Sequence, residues 1–253
     1  MNKLNIAAAF SAAANTYDQA AFIEQEIGQR LMQRLEYIKL NPKYILDLGC
    51  GTGYFTRQLQ SRYPSATIIG LDIAFGMVKF ASNSTQLQYC CADAEQLPFF
   101  DLQFDLIFSN CCLPSIDNFE LLFSELNRVL NIDGLLLATT FGPDTLQELG
   151  IESNWQDMHK IGDILLRLQY KDPVVDTEFL TFTYKQLKTL LNDLNNTGGF
   201  DIDTSYEINL KLPCNVTFEV IYGQAIKQVA INKQYKDALG NVYIPLSNIQ
   251  NMT

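Results

Sequence analysis

Ile45-Leu46-Asp47-Leu48-Gly49-Cys50-Gly51-Thr52-Gly53-Tyr54 is the stretch that decides how this chain is read. An apolar run is punctuated by an acid, and three glycines follow at every second position. An apolar-periodic segment, Phe55 to Tyr63, comes next. The order is strand, tight glycine loop, helix. In that arrangement a nucleotide-like ligand lies against bare backbone at a helix N-terminus.

Working outward, Leu4 to Lys39 reads as helix in two pieces, broken around Asn15-Thr16. Ile23, Ile27, Leu31, Leu35 and Ile38 make one apolar stripe along it. Beyond the glycine loop, strands are expected at Ala66 to Leu71, Leu87 to Cys91, Phe104 to Phe108 and Leu135 to Phe141. Helices are expected at Phe75 to Ala81 and Asn118 to Leu130. This alternation predicts a Rossmann-like α/β fold, a doubly wound and mostly parallel sheet. Ligands of such sheets sit at the carboxyl ends of the strands. Asp47, Asp72, Asp93 and Asn110 all punctuate strand ends.

After Phe141 the rhythm loosens. Asp144 to Leu149, Met158 to Leu168 and Tyr184 to Leu194 look helical, while Val174 to Tyr184 and Phe218 to Ile226 look like strands. Leu239-Gly240-Asn241 reads as a turn. No linker or repeat divides residues 1–253, so one domain is expected. It comprises N-terminal helices over 1–40, a cofactor-binding core over 41–141, an inserted helical and stranded lid over 142–213, and final strands and tail over 214–253.

A chain that is 47% hydrophobic and 18% charged can bury a sizeable core. Its net charge of −10 repels nucleic-acid phosphates and anionic lipid, so neither partner is expected. No apolar run is long enough to span a bilayer. Asn5 and Ser11 interrupt the stretch that would otherwise pass for a signal peptide, so a cytoplasmic monomer is expected. The six cysteines fall in vicinal pairs or alone, with a single histidine, His159, to accompany them; no metal site is expected.

A dinucleotide fingerprint needs G-x-G-x-x-G, and here the third glycine, Gly53, comes one place early. Acid-x-G-x-G-x-G instead resembles motif I of the class I S-adenosylmethionine-dependent methyltransferases. Asp47 suits the ammonium of the methionine arm or orders the loop, and Gly49, Gly51 and Gly53 let backbone approach the ligand. Asp72, about 20 residues on, is placed to accept both ribose hydroxyls. Asp93 is placed for the adenine amino group, with the Ala94 N–H on the ring and Met77 on its face. Asn110 ends the fourth strand. S-adenosylmethionine is therefore the expected cofactor, leaving as S-adenosylhomocysteine.

The flanks speak to the acceptor. Phe10-Ser11-Ala12-Ala13-Ala14-Asn15-Thr16-Tyr17-Asp18 precedes the sheet, and Thr139-Thr140-Phe141-Gly142-Pro143-Asp144-Thr145-Leu146-Gln147-Glu148-Leu149 follows the fifth strand. Asp157 to Asp163, Asp172 to Asp176, Glu219 to Gly223 and Ile244 to Ser247 add to the pattern. Together these segments resemble the malonyl-acyl carrier protein O-methyltransferases of biotin synthesis. The resemblance implies methyl transfer to the free carboxylate of malonyl-acyl carrier protein. The ester masks a charge, so that chain elongation toward pimeloyl can proceed.

Tyr17 matches the family's N-terminal Tyr-Asp and is expected to close over the methyl site. His159 and Arg167, eight residues apart on one helix, are candidates for a donor pair aimed at the acceptor carboxylate. The plainer alternative is a helix-end His and a solvated Arg. Where members commonly carry a basic stretch, Asn195 to Pro213 has Lys211 alone. The residues therefore leave malonyl-coenzyme A, or another small carboxylate or phenol, open as acceptor. A non-catalytic cofactor binder is the further alternative. Ser109-Asn110-Cys111-Cys112-Leu113-Pro114 lacks the Pro-Pro-aromatic signature of nucleic-acid methyltransferases.

Overall fold

The computed structural model describes residues 3–113, 116, 118–150, 155–196, 212–229, 235–236 and 242–243. Seven strands form the central sheet: β1 (Tyr44–Leu48), β2 (Thr67–Asp72), β3 (Gln88–Cys91), β4 (Phe104–Ser109), β5 (Leu130–Phe141), β6 (Tyr170–Tyr184) and β7 (Cys214–Lys227). Their order is β3-β2-β1-β4-β5-β7-β6. Strands β1 to β5 pair in parallel, and β7 runs antiparallel to both β5 and β6. β8 (Tyr235–Lys236) and β9 (Val242–Tyr243) form a separate two-stranded ribbon.

Parallel neighbours need crossover connections, and the helices supply them. These are α4 (Tyr54–Arg62), α5 (Phe75–Ser84) and α6 (Phe119–Val129), preceded by α1 (Lys3–Ala13), α2 (Tyr17–Ala20) and α3 (Phe22–Arg34). After β3 the chain crosses to the other side of β1, so strand order reverses there and a crevice opens between the ends of β1 and β4.

Along β1 the side chains alternate. Ile45 joins the cluster of Ile23, Ile27, Leu31, Phe55 and Leu59 on one face. Leu46 and Leu48 join that of Leu122, Phe123, Leu126, Ile161 and Leu165 on the other. Both faces are thereby covered, as a mostly parallel sheet requires.

The N-terminal break falls where Asn15-Thr16 predicts it. Thr16 N–H donates to Ala13 O at 2.9 Å, and α1 turns into α2 and α3. α1 contributes no fully buried residue. It docks on α5, where Ser11 Oγ accepts from Gly76 N–H at 3.0 Å.

Several boundaries differ from expectation, and β6 and β7 each start four residues earlier than expected, at Tyr170 and Cys214. β5 begins at Leu130, not Leu135, because Leu130 already pairs with Phe104; Asp133, at φ 59°, then interrupts the register. Asp144 to Leu149 holds only a short 3-10 turn at Gln147–Leu149.

The stretch expected as a lid over 142–213 is built largely into the body of the fold. β6 is the edge strand, paired with β7 from Tyr170↔Lys227 to Tyr184↔Cys214. α7 (Met158–Arg167) packs on β6 and α6. α8 (Leu187–Asn196) reaches the N-terminal helices at α2, and β6 meets α3 through the Arg34–Asp176 ion pair at 2.6 Å and the Phe22–Phe182 ring contact. The cation-poor segment with Lys211, and the turn at Leu239–Asn241, lie outside the described residues. Among the described residues no helix is long and apolar enough to cross a membrane.

Candidate functional site

A cavity of about 890 Å³ opens at the carboxyl ends of the parallel strands. Asp93 follows β3, Asp72 ends β2, Gly49 and Gly51 follow β1, Asn110 follows β4 and Phe141 ends β5. The cavity therefore runs along the sheet edge from β3 to β5. α1 roofs it with Lys3, Ile6 and Phe10.

The glycine loop shapes the floor. Gly49 and Cys50 N–H groups donate to Leu71 O, at 2.7 and 3.0 Å, tying the loop to β2. Gly51 sits at φ 53°, and a Cβ there would meet nothing nearer than the Tyr17 ring at 4.0 Å. A side chain at position 51 would project into the cavity itself, so the glycine keeps ligand space open. Gly53 caps α4 and packs on Tyr89, outside the lining of this cavity.

Asp72 holds the loop and faces the cavity. Its Oδ2 accepts from Gly51 N–H at 2.9 Å and its Oδ1 from Ala74 N–H at 2.8 Å. Each oxygen keeps a lone-pair direction for a further donor. Burial pushes its carboxyl up, and the Ala74, Gly51 and Ile73 amides oppose that.

Asp47 does a different job. It is buried and accepts from Thr56 Oγ1 at 2.6 Å, binding β1 to α4. Burial pushes it up to about 7; Asp72's charge adds to this and the Thr56 hydroxyl opposes it. Asp93 is pulled below the usual carboxylate range. Burial acts to raise it, but Lys3 Nζ at 2.8 Å and the Glu95 amide outweigh that. Lys3 also reaches Glu95 at 2.8 Å, clasping α1 to the far side of the cavity.

Tyr17 lies beside Gly51 and lines the cavity. Burial, then the charges of Glu24, Cys111, Asp72 and Asp18, raises its phenol well above the ordinary value, so it stays a donor at neutral pH. Asn110 ties β4 to α3: its Nδ2 donates to Glu24 O at 2.8 Å and its Oδ1 accepts from Thr139 Oγ1 at 2.9 Å. Ala94 also lines the cavity. Burial holds the Cys111 and Cys112 thiols protonated, so neither is an activated nucleophile.

Besides Asp47 and Gly53, three more expected site residues lie outside this cavity. Met77 is fully buried against Ala14 and Ala74, under α1, and Ile73 lines the cavity instead. His159 is 83% exposed, because α7 buries Ile161, Ile164 and Leu165 and leaves His159 on the opposite face, its N–H donating to the capping Asp157. Arg167 pairs with Glu120 at 2.5 Å on the surface. The donor pair is therefore corrected to a helix-end His and a solvated Arg.

Lys3, Phe10, Glu24 and Phe141 are site residues that the motif reading passed over. Lys3, Ile6 and Phe10, at i, i+3 and i+7, carried a helical-face signal. Glu24, next to the apolar stripe, carried none.

The profile of the methyltransferase domain family matches residues 46–138. A malonyl-[acyl-carrier protein] O-methyltransferase of Legionella pneumophila is 36% identical, covering 96% of each chain. That of Gallionella capsiferriformans is 38% identical over 87% of this chain and 89% of its own. The chain belongs to the malonyl-[acyl-carrier protein] O-methyltransferase family. A third member, from Coxiella burnetii, is 36% identical over 95% of this chain and 93% of its own.

By class, members of this family are S-adenosylmethionine-dependent O-methyltransferases. Among solved structures, the YcgJ protein of Bacillus subtilis superposes with a TM-score of 0.61 at 19% identity, over 79% of this chain and 98% of its own. A Haemonchus contortus phosphoethanolamine N-methyltransferase, solved with S-adenosylhomocysteine, gives 0.59 at 18% identity, over 80% and 52%. These two likenesses establish the class I methyltransferase fold.

Proposed function

We propose that this protein transfers a methyl group from S-adenosylmethionine to the free carboxylate of malonyl-acyl carrier protein. The observation that carries the reading is the reach of the family likeness. It runs over 96% of the chain, well beyond the methyltransferase-domain match at 46–138, into both flanks.

The residues present fit the cofactor. The open space above Gly51 is a cradle that any side chain would fill. Asp72 would hold the ribose hydroxyls, Asp93 and the Ala94 backbone the adenine, and Gly49 and Gly51 the stretch between. When bound, S-adenosylmethionine supplies a methyl group on an electron-poor sulfonium.

The protein's own part is positioning and exclusion of water. A malonyl carboxylate is already ionised at neutral pH, so no general base is needed. Tyr17 stays protonated and is our candidate to orient that carboxylate by donating to it. Phe10 and Phe141 present apolar surface on the cavity wall. Asn110 keeps the β4 end of the site locked to α3. The protein acts as a single chain in the cytoplasm, without metal, membrane or nucleic acid.

The test compares acceptors. The protein is incubated with methyl-labelled S-adenosylmethionine and, separately, malonyl-acyl carrier protein, malonyl-coenzyme A and malonate. Base-labile label on the carrier-protein thioester, in preference to the other two, is expected. Label on none of the three would overturn the reading; preference for the coenzyme A thioester would move the acceptor.

A further inference from the structure

A second hollow of about 420 Å³ adjoins the first and shares Tyr17, Glu24, Gly49, Gly51 and Asn110 with it. It runs under the glycine loop toward Thr52 and Tyr54, at the N-terminus of α4. Among the described residues its lining holds Asp18, Glu24 and Asp47, and neither Lys nor Arg.

Asp18 and Asp47 tie the glycine loop and α4 to their neighbours. Asp18 accepts from Thr52 Oγ1 at 2.5 Å and faces Arg57 at 3.8 Å. Asp47 accepts from Thr56 Oγ1. Glu24 is the carboxylate common to both hollows, and it is 7% exposed. Its place is rigid: Ile23, Ile27 and Leu31 anchor α3 in the core, and its carbonyl accepts from Asn110. A fixed, largely buried carboxylate facing ligand space favours a cationic group and repels an anionic one.

We infer that Glu24, and not the motif acid Asp47, receives the α-ammonium of the cofactor's methionine arm. The inference rests on the cofactor reading above. The arm lies in the second hollow, where the N–H groups that open α4 suit its carboxylate. Glu24 thereby also sets the cofactor apart from the acceptor: its charge attracts the zwitterionic arm and excludes the malonyl carboxylate from that end.

Equilibrium binding by calorimetry separates the possibilities. Wild type and Glu24→Gln are each titrated with S-adenosylmethionine, S-adenosylhomocysteine and methylthioadenosine, which lacks the amino-acid arm. The expected result is a roughly tenfold or larger loss for the first two, the usual scale for a charged hydrogen bond. Methylthioadenosine should bind both proteins equally, which also reports a folded site. Glu24→Asp, keeping the charge on a shorter stem, should recover part of the loss.

Loss confined to S-adenosylmethionine would put Glu24 against the sulfonium and overturn the inference. Equal affinities, or equal loss of all three ligands, would overturn it as well. Wild type binding none of the three would remove the cofactor reading, and this inference with it.

Discussion

Two aspartates a strand apart illustrate how differently one residue type is used here. Asp72 braces the loop and lines the cavity; Asp47 ties β1 to α4. Asp72→Ala should therefore weaken S-adenosylhomocysteine about 100-fold or more, the loss of two hydrogen bonds to a charged group. Calorimetric affinity within threefold of wild type would contradict its ribose role. Asp47 predicts a pH effect. Its folded value, about 7, lies above the ordinary 3.8, so the folded state holds a proton that the unfolded chain releases. The stability it contributes is full below about pH 4 and is lost as pH rises toward and through 7. Asp47→Asn should flatten the fall in denaturation midpoint between those pH values; an unchanged slope would refute the assignment. Both aspartates were legible from spacing, because strand–loop–helix geometry leaves few places for an acid. His159 and Arg167 were not, because α7 turns Ile161, Ile164 and Leu165 to the core and leaves both polar residues on the outer side, where Arg167 meets Glu120. Sequence spacing puts residues on one helical face without saying what that face meets.

Helix α1 is the element that most repays testing. It forms the roof of the cavity yet buries no residue fully, and its dock is a close approach of Ser11 to α5 at Gly76. A Cβ on Gly76 would lie 2.5 Å from Ser11 O, a backbone atom that cannot step aside alone. Gly76→Ala should thus lift α1 while leaving the sheet intact. Hydrogen exchange should rise in the peptides of α1, and S-adenosylhomocysteine affinity should fall several-fold. Unchanged exchange there would show that the roof does not depend on this contact. The Lys3 clasp, partly exposed at both partners, adds at most about 1 kcal/mol to the dock. The helices and parallel strands were readable from periodicity and from the Asn15-Thr16 break. β6 was read as part of a lid, because an exposed-edge strand and a lid strand share the same alternating pattern until pairing partners are known. Met77 likewise was expected on the adenine face; the packing of α1 on α5 claims it for the roof's underside.

At the scale of the molecule, ten excess negative charges bear on the encounter with an acidic carrier protein. Like charge slows association and is screened by salt, with a Debye length of about 10 Å at 0.1 M. KM for malonyl-acyl carrier protein should therefore fall as ionic strength rises from about 0.02 to about 0.15 M. A rise in KM over that range would instead reveal a local basic docking face. The sheet order carries one more consequence, for synthesis of the chain. β7, residues 214–227, lies between β5 and β6 although it is made after both. Until it emerges, β5 presents a bare edge along Leu135 to Phe141 and β6 has no strand to join. A nascent or prematurely ended chain that stops short of Cys214 is thus an open-edged intermediate, suited to pairing with other chains. The antiparallel strand is the keystone laid after its neighbours, and quality control of this enzyme turns on whether residues 214–227 arrive.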